Sequence, residues 1–480
     1  MGYSGMEEDM RLVQATPSKR QVAYQQMEFL CFVHFGMNTF SGNEWGTGKE
    51  EESLFHPAKL DARQWVAAVK DAGARGLLLT CKHHDGFCLW PSAYTEHSVK
   101  NSPYRDGKGD VVKEVADACR EYGVKFGVYL SPWDRNSEYY GMGKAYDDYY
   151  VNQLTELLTG YGDVFSVWMD GACGEGANGK VQRYDWERYF EVIRRLQPDT
   201  VISICGPDVR WCGNEAGIVR PSEWSVVSAD MKDAGLIAQL SQQEDTSEFR
   251  ERPIDCTMQD IGSRQALRKE PRLIYYPAET DVSIRPGWFY HEEEDDKVRS
   301  VENLKELYLK AVGGNTSLLL NIPPDRNGLF HERDVESLKG LGEFIRGTFL
   351  KNLAQEAKVA ATPVKGRDGN GPEALLTDSY ESGFGNVDGE RELTLEWIWD
   401  EEKELDYLTL KEDIRFSQRV ESFSVSYVPE SGAETVCYDG TVIGYKKIVP
   451  LDGIKTRKLI VRITDARVAP ILSFVGVYGK

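Results

Sequence analysis

Between Leu30 and Leu350 the chain alternates short apolar runs with amphipathic segments, and it does so eight times. The runs of strand length fall at 30–36, 76–81, 125–131, 164–170, 200–205, 223–227, 281–284 and 318–322. Helical periods separate most of them, at 61–72, 109–122, 146–160, 184–196 and 297–312, and another at 335–349 follows the last run. Strands that bury both faces and alternate with helices form parallel sheets, and eight such units close into a (β/α)8-type barrel with long inserted loops. The sixth and seventh units, at 223–227 and 281–284, are the weakest of the series, because the stretch from 230 to 270 shows no clean period.

Beyond residue 350 the pattern changes to a period of two, as in Leu393-Thr394-Leu395-Glu396-Trp397 and Lys458-Leu459-Ile460-Val461-Arg462-Ile463. Turn clusters such as GRDGNGP and YDGTVIG punctuate these runs, which predicts a C-terminal β-sandwich. The chain thus reads as an α/β catalytic barrel over residues 1–352 and a β-sandwich over 353–480.

Composition narrows the function classes. With 57 Lys and Arg against 77 Asp and Glu, the formal charge is −20, and no basic stripe offsets it, so nucleic acid is excluded as a partner. No run of about 18 apolar residues spans a membrane. The nine cysteines include no CxxC pair, which removes support for structural zinc or redox motifs and favours buried thiols in a reducing compartment. The opening MGYSGMEEDM has no basic and apolar signal region, so the chain as it stands reads as cytoplasmic, or as periplasmic or secreted if a leader was removed. The acidic run HEEEDD at 291–296 is expected to cap the helix that follows it.

Chemistry gathers at the strand ends. The fourth run, Val164-Phe165-Ser166-Val167-Trp168-Met169-Asp170-Gly171, ends in a carboxylate, which a buried strand has no use for unless the acid points into a cleft. Asp-Gly also opens turns, and Asp caps helices, so both readings of Asp170 stand at this point. The other ends carry His34, Lys82-His83-His84-Asp85, and Tyr129 with Trp133, and four of the seven histidines (His34, His56, His83 and His84) lie in or beside the first two loops. A metal site on His34, His83 and His84 is one reading, but the spacing fits neither HExxH nor a facial triad. Neutral imidazoles that bind sugar hydroxyls are the other. Glycoside hydrolysis needs two carboxyl groups. Asp170 is the candidate for one, and Glu215, Glu223 and Asp208 compete for the second without composition separating them. No GxSxG elbow or P-loop occurs.

The strings FVHFGMNTF, NEW, TCKHHDGFCLWPS, FGVYLSPWD, VWMDGA and SLLLNIPPDRNG, in this order, resemble the catalytic domain of glycoside hydrolase family 29, the α-L-fucosidases, from about residue 20 to 350. The resemblance implies a retaining exo-α-L-fucosidase with Asp170 as nucleophile and His34, Glu44, Trp45, His83, His84, Tyr129 and Trp168 as fucose-binding residues. Trp288 in RPGWFY would form an aromatic wall. The loop GPDVRWCGNEAG is similar to that of the subgroup restricted to α-1,3 and α-1,4 linked fucose on Lewis-type glycans, which makes Glu215 the acid/base. No metal or cofactor is implied, and the partner is a fucosylated oligosaccharide. The rival readings are a catalytically silent fucose-binding protein, a metal-dependent hydrolase and an α-L-fucosidase of broad specificity.

Overall fold

The computed structural model describes residues 5–241, 246, 248, 260–362, 370–386 and 389–480. Eight parallel strands form one sheet: β1 Phe29–Val33, β2 Gly76–Lys82, β3 Lys125–Leu130, β4 Ser166–Met169, β5 Val201–Ile204, β6 Arg210–Trp211, β9 Ala278–Ser283 and β10 Thr316–Asn321. Two further strands, β7 Val226–Ser228 and β8 Leu273–Tyr275, lie in sequence between β6 and β9. The spatial order β5-β4-β3-β2-β1-β10-β9-β6 wraps the sheet round, and a parallel bridge from Ser203 to Val209 brings its two edges nearly to closure. Side chains such as Leu77, Leu79, Val128 and Val167 are fully buried, as strands covered on both faces require.

The expected helices form with boundaries shifted by a few residues: Ala62–Asp71, Val111–Tyr122, Lys144–Gly160, Trp186–Leu196, Val301–Ala311 and Glu332–Thr348. Asp61, Asp110, Asp185 and Ser300 cap four of them, each accepting a backbone N–H of the first turn, a contact worth about 1 kcal/mol. The acidic run does not cap the next helix, whose N-cap is Ser300. Instead Glu292–Glu294 forms its own 3-10 turn, in which Glu294 accepts the Gly287 N–H, and Asp295 then pairs with the buried Arg285.

The sixth strand differs from the expectation. Residues 226–228 pair antiparallel with β8, outside the barrel, and the two-residue β6 takes the sixth place. The reason is competition for apolar surface: Val226 is buried in a separate cluster with Leu12, Leu267, Tyr275, Ile414 and Tyr445, between the barrel and the C-terminal sheet. β9 starts at Ala278, ahead of the expected 281, because Glu279 breaks the apolar pattern while remaining fully buried.

The C-terminal part is an antiparallel sandwich. Its two 20-residue strands, Leu393–Glu412 and Lys447–Ala466, pair with each other along most of their length, with register shifts between Ile398 and Lys403 and between Leu405 and Tyr407. The first half of Leu393–Glu412 also pairs with Lys358–Thr362 and the second half with Ile471–Gly479, so one strand serves both layers around Leu395, Trp397, Leu408 and Leu410. Barrel and sandwich meet through a buried charge cluster, in which Glu28 accepts from Lys411 at 3.2 Å, Lys446 at 2.8 Å and the Tyr445 hydroxyl at 2.9 Å.

Candidate active site

The carboxyl ends of the barrel strands open into one pocket of about 670 Å³, its mouth included. Asp170 follows the last residue of β4, and its side chain is 23% exposed, enough for a ligand to reach it. Its Oδ1 accepts the Ala172 N–H at 2.8 Å and its Oδ2 accepts the Tyr129 hydroxyl at 2.9 Å. These two bonds fix the carboxylate in place. Burial and the nearby Asp170 charge both push the Tyr129 phenol well above its ordinary value, so it stays a donor throughout the working range. Gly171 permits the sharp exit from β4, since a Cβ there would lie 2.1 Å from Ser241 Oγ.

Three imidazoles line the floor. His34 Nδ1 lies 2.8 Å from Asn321 Oδ1, while the Asn321 amide donates to Ser283 Oγ and the Trp288 carbonyl. That orientation of the amide assigns the proton to His34 Nδ1 and leaves Nε2 as an acceptor. His84 Nδ1 lies 2.7 Å from Ser131 Oγ, whose own proton goes to the Trp133 carbonyl, so His84 Nδ1 donates as well. Burial lowers His34 and His84 to about 4, and burial with the two neighbouring imidazoles holds His83 well below its ordinary value. All three are neutral at pH 7, suited to uncharged hydroxyls. Adjacent residues on a strand face opposite ways, yet His83 and His84 both line the pocket, because β2 ends at Lys82 and the turn brings the two rings within 4.1 Å. Among the described residues no set of His, Cys, Asp or Glu converges as a metal site.

The opposite wall is a linked loop. Glu44 accepts from the backbone N–H of Trp288 at 2.9 Å and of Phe289 at 3.2 Å, and meets His291 Nε2 at 2.6 Å. The bond to Glu44 raises His291 above its ordinary value. Glu44 can approach this closely because residue 287 is glycine, where a Cβ would sit 2.7 Å from the carboxylate oxygen. The loop so anchored presents Trp288, whose Nε1 donates to Glu215 Oε2 at 3.1 Å. On the inner side, Trp168 Nε1 donates to Glu279 at 2.7 Å.

All ten residues singled out in the sequence (His34, Glu44, Trp45, His83, His84, Tyr129, Trp168, Asp170, Glu215 and Trp288) line this pocket. Asp208 does not: it accepts from Arg20, Arg194 and the Ile202 N–H. Nor does Glu223, which is buried against Arg210 and Arg220. The sequence reading missed Ile204, Trp211 and Asp281, which also line the pocket. Trp211 was hidden in a two-residue strand. Ile204 has a φ of +71°, a conformation that costs a β-branched residue roughly 1–3 kcal/mol and that leaves no mark in a sequence.

A barrel whose strand ends gather carboxyl groups, neutral imidazoles and indoles around a sugar-sized pocket defines a carbohydrate-processing enzyme. The model of the family Alpha-L-fucosidase matches residues 8–348. Alpha-L-fucosidase 1 of Arabidopsis thaliana is 38% identical over 467 residues, which cover 96% of this chain and 87% of that protein. A crystal structure of a candidate α-L-fucosidase from Bacteroides ovatus superposes with a TM-score of 0.85 at 43% identity, covering all of this chain and 76% of that one. A Ruminococcus gnavus GH29 fucosidase in complex with fucose gives a TM-score of 0.82 at 29% identity, over 97% and 95% of the two chains. The chain belongs to the α-L-fucosidase family and is a glycoside hydrolase that acts on α-L-fucosides.

Proposed function

We propose that the protein is a retaining exo-α-L-fucosidase that removes α-1,3 and α-1,4 linked fucose from Lewis-type oligosaccharides. Asp170 attacks the anomeric carbon as the glycosidic C–O bond breaks, and Glu215 gives its proton to the departing oxygen. Water then attacks the same carbon, Glu215 takes the proton, and the bond to Asp170 breaks, so fucose leaves with its original configuration. The observation that carries this reading is the setting of the two acids in one pocket, Asp170 held by Tyr129 and Glu215 held by Trp288.

The binding roles follow from the same geometry. His34, His83 and His84 serve the sugar hydroxyls as neutral partners, with Nε2 of His34 and His84 accepting. Trp45 and Trp168 flank the ring. Phe32, Ile204 and Trp211 supply apolar surface for the C6 methyl, which lacks the hydroxyl that a polar wall would serve. Glu44 has both oxygens on the 287–291 loop, so its main effect on the sugar runs through Trp288.

The linkage preference rests on the GPDVRWCGNEAG loop. Hydrolysis of a panel of α-1,2, α-1,3/4 and α-1,6 linked fucosyl oligosaccharides and an aryl fucoside tests it. Rapid release from a Lewis trisaccharide with slow release from 2′-fucosyllactose is expected, and equal rates on both would establish a broad fucosidase instead.

A further inference from the structure

Asp281 brings a fourth carboxyl into the pocket that Glu44, Asp170 and Glu215 line. It lies on β9, two residues after Glu279, so both side chains face the barrel interior. Asp281 is 3% exposed, and its Oδ1 accepts Trp211 Nε1 at 2.8 Å. The Glu215 loop is stitched to the same strand: Ala216 and Val282 form an antiparallel bridge, which makes each acid the chain neighbour of a bridge partner. Burial, then the charges of Glu215 and Glu279, keep Asp281 protonated well above the ordinary carboxyl range. The titratable groups facing it are Glu279 on its own strand, Glu215 from the loop, Cys212 after β6 and Tyr24 from the helix Lys19–Gln25. None of these is a cation that would offset a second negative charge.

We propose that Asp281 is a positioning residue for the hydrolysis: its carboxyl and that of Glu215 hold one proton between them, and Asp281 acts on the reaction by setting how firmly Glu215 keeps it. The inference rests on the reading of Glu215 as acid/base. When that proton passes to the departing oxygen, the pair carries two negative charges in a confined pocket. Glu215 is then a stronger base for the proton of the incoming water, whose uptake restores the pair.

The pH profile of kcat/KM tests this on an aryl fucoside with a poor leaving group. In Asp281→Asn the basic limb should move down by at least about one pH unit, because Glu215 no longer has an acidic neighbour to repel its charge. A purely structural role would lower activity at every pH and leave the limb in place, and that result overturns the proposal. Glu215→Gln, measured in parallel, separates the two claims: if it keeps the wild-type limb, the acid/base reading itself fails, whereas if it abolishes the limb while Asp281→Asn leaves it unmoved, only the role of Asp281 fails. Infrared titration of the protonated-carboxyl band needs no Asp281 variant. One component of that band should titrate at lower pH in Glu215→Gln than in the wild type, and superimposable titrations would contradict the shared proton even if Asp281→Asn does not fold.

Discussion

Trp288 holds Glu215 through its indole N–H at 3.1 Å, while its own backbone N–H is held by Glu44 at 2.9 Å. The carboxyl assigned to proton transfer is therefore positioned by a residue from a different loop, itself anchored on a third. Trp288→Phe keeps an aromatic side chain and deletes the bond. Loss of one hydrogen bond to a charged or reacting group costs roughly 1.5–3 kcal/mol, so kcat/KM should fall about 10- to 100-fold on substrates with poor leaving groups. Aryl fucosides with good leaving groups should lose much less, which steady-state kinetics on the two substrates would read.

Tyr129→Phe removes the donor to Asp170 and should act on every substrate alike. Asp170 loses one of the two bonds that fix it, and a drop in kcat of roughly 10- to 100-fold is expected regardless of leaving group. A selective loss on poor leaving groups only would instead tie Tyr129 to proton transfer.

The neutral imidazoles give binding a pH signature. His34 and His84 titrate near 4 and ordinary histidine near 6.5, so protonation is opposed by the fold. The stability they contribute is full above about 6.5 and is lost as pH falls towards about 4. Denaturant midpoints measured across that window should decline, and His84→Gln, which cannot protonate, should decline less steeply. Affinity for a non-hydrolysable fucose analogue should be flat from pH 6 to 8 and weaken on approach to pH 4 if these rings bind hydroxyls in the neutral form.

The barrel and the sandwich share Glu28, buried with Lys411 and Lys446. The two cations hold its carboxyl far below the usual range despite the opposing effect of burial. Glu28→Gln would leave two lysines without their common anion in a dry interface, and removing one partner of such a cluster costs roughly 3–5 kcal/mol. Urea denaturation should show a loss of about 3 kcal/mol, because Lys411 retains Asp378 as a partner.

The sequence made most of the barrel legible because strands buried on both faces leave uninterrupted apolar runs such as Gly76–Lys82. Where function placed acids inside the barrel the signal broke, and β9 was read only from Asp281 onward because Glu279 interrupts it. Val226 and Val227 are apolar enough to read as the sixth strand, yet they serve two separate clusters outside the barrel, and Arg210–Trp211 is too short to carry any period. The pocket residues were legible through motifs at strand ends. Their partners were not: the bond of Trp288 to Glu215 joins positions 73 apart, and the engagement of both Glu44 oxygens by the 288–291 segment joins positions 244 and more apart. The choice of Glu215 over Asp208 and Glu223 likewise turns on arginines brought in by the fold.

The proposed retaining mechanism requires a covalent bond between Asp170 and the anomeric carbon. Incubating the wild-type protein with a 2-deoxy-2-fluoro-fucosyl fluoride, whose intermediate hydrolyses slowly, and mapping the peptides by mass spectrometry tests it most directly. One fluorofucosyl adduct per chain, on Asp170, is expected. An adduct on another carboxylate, or turnover that releases the inverted sugar with no adduct, would contradict it.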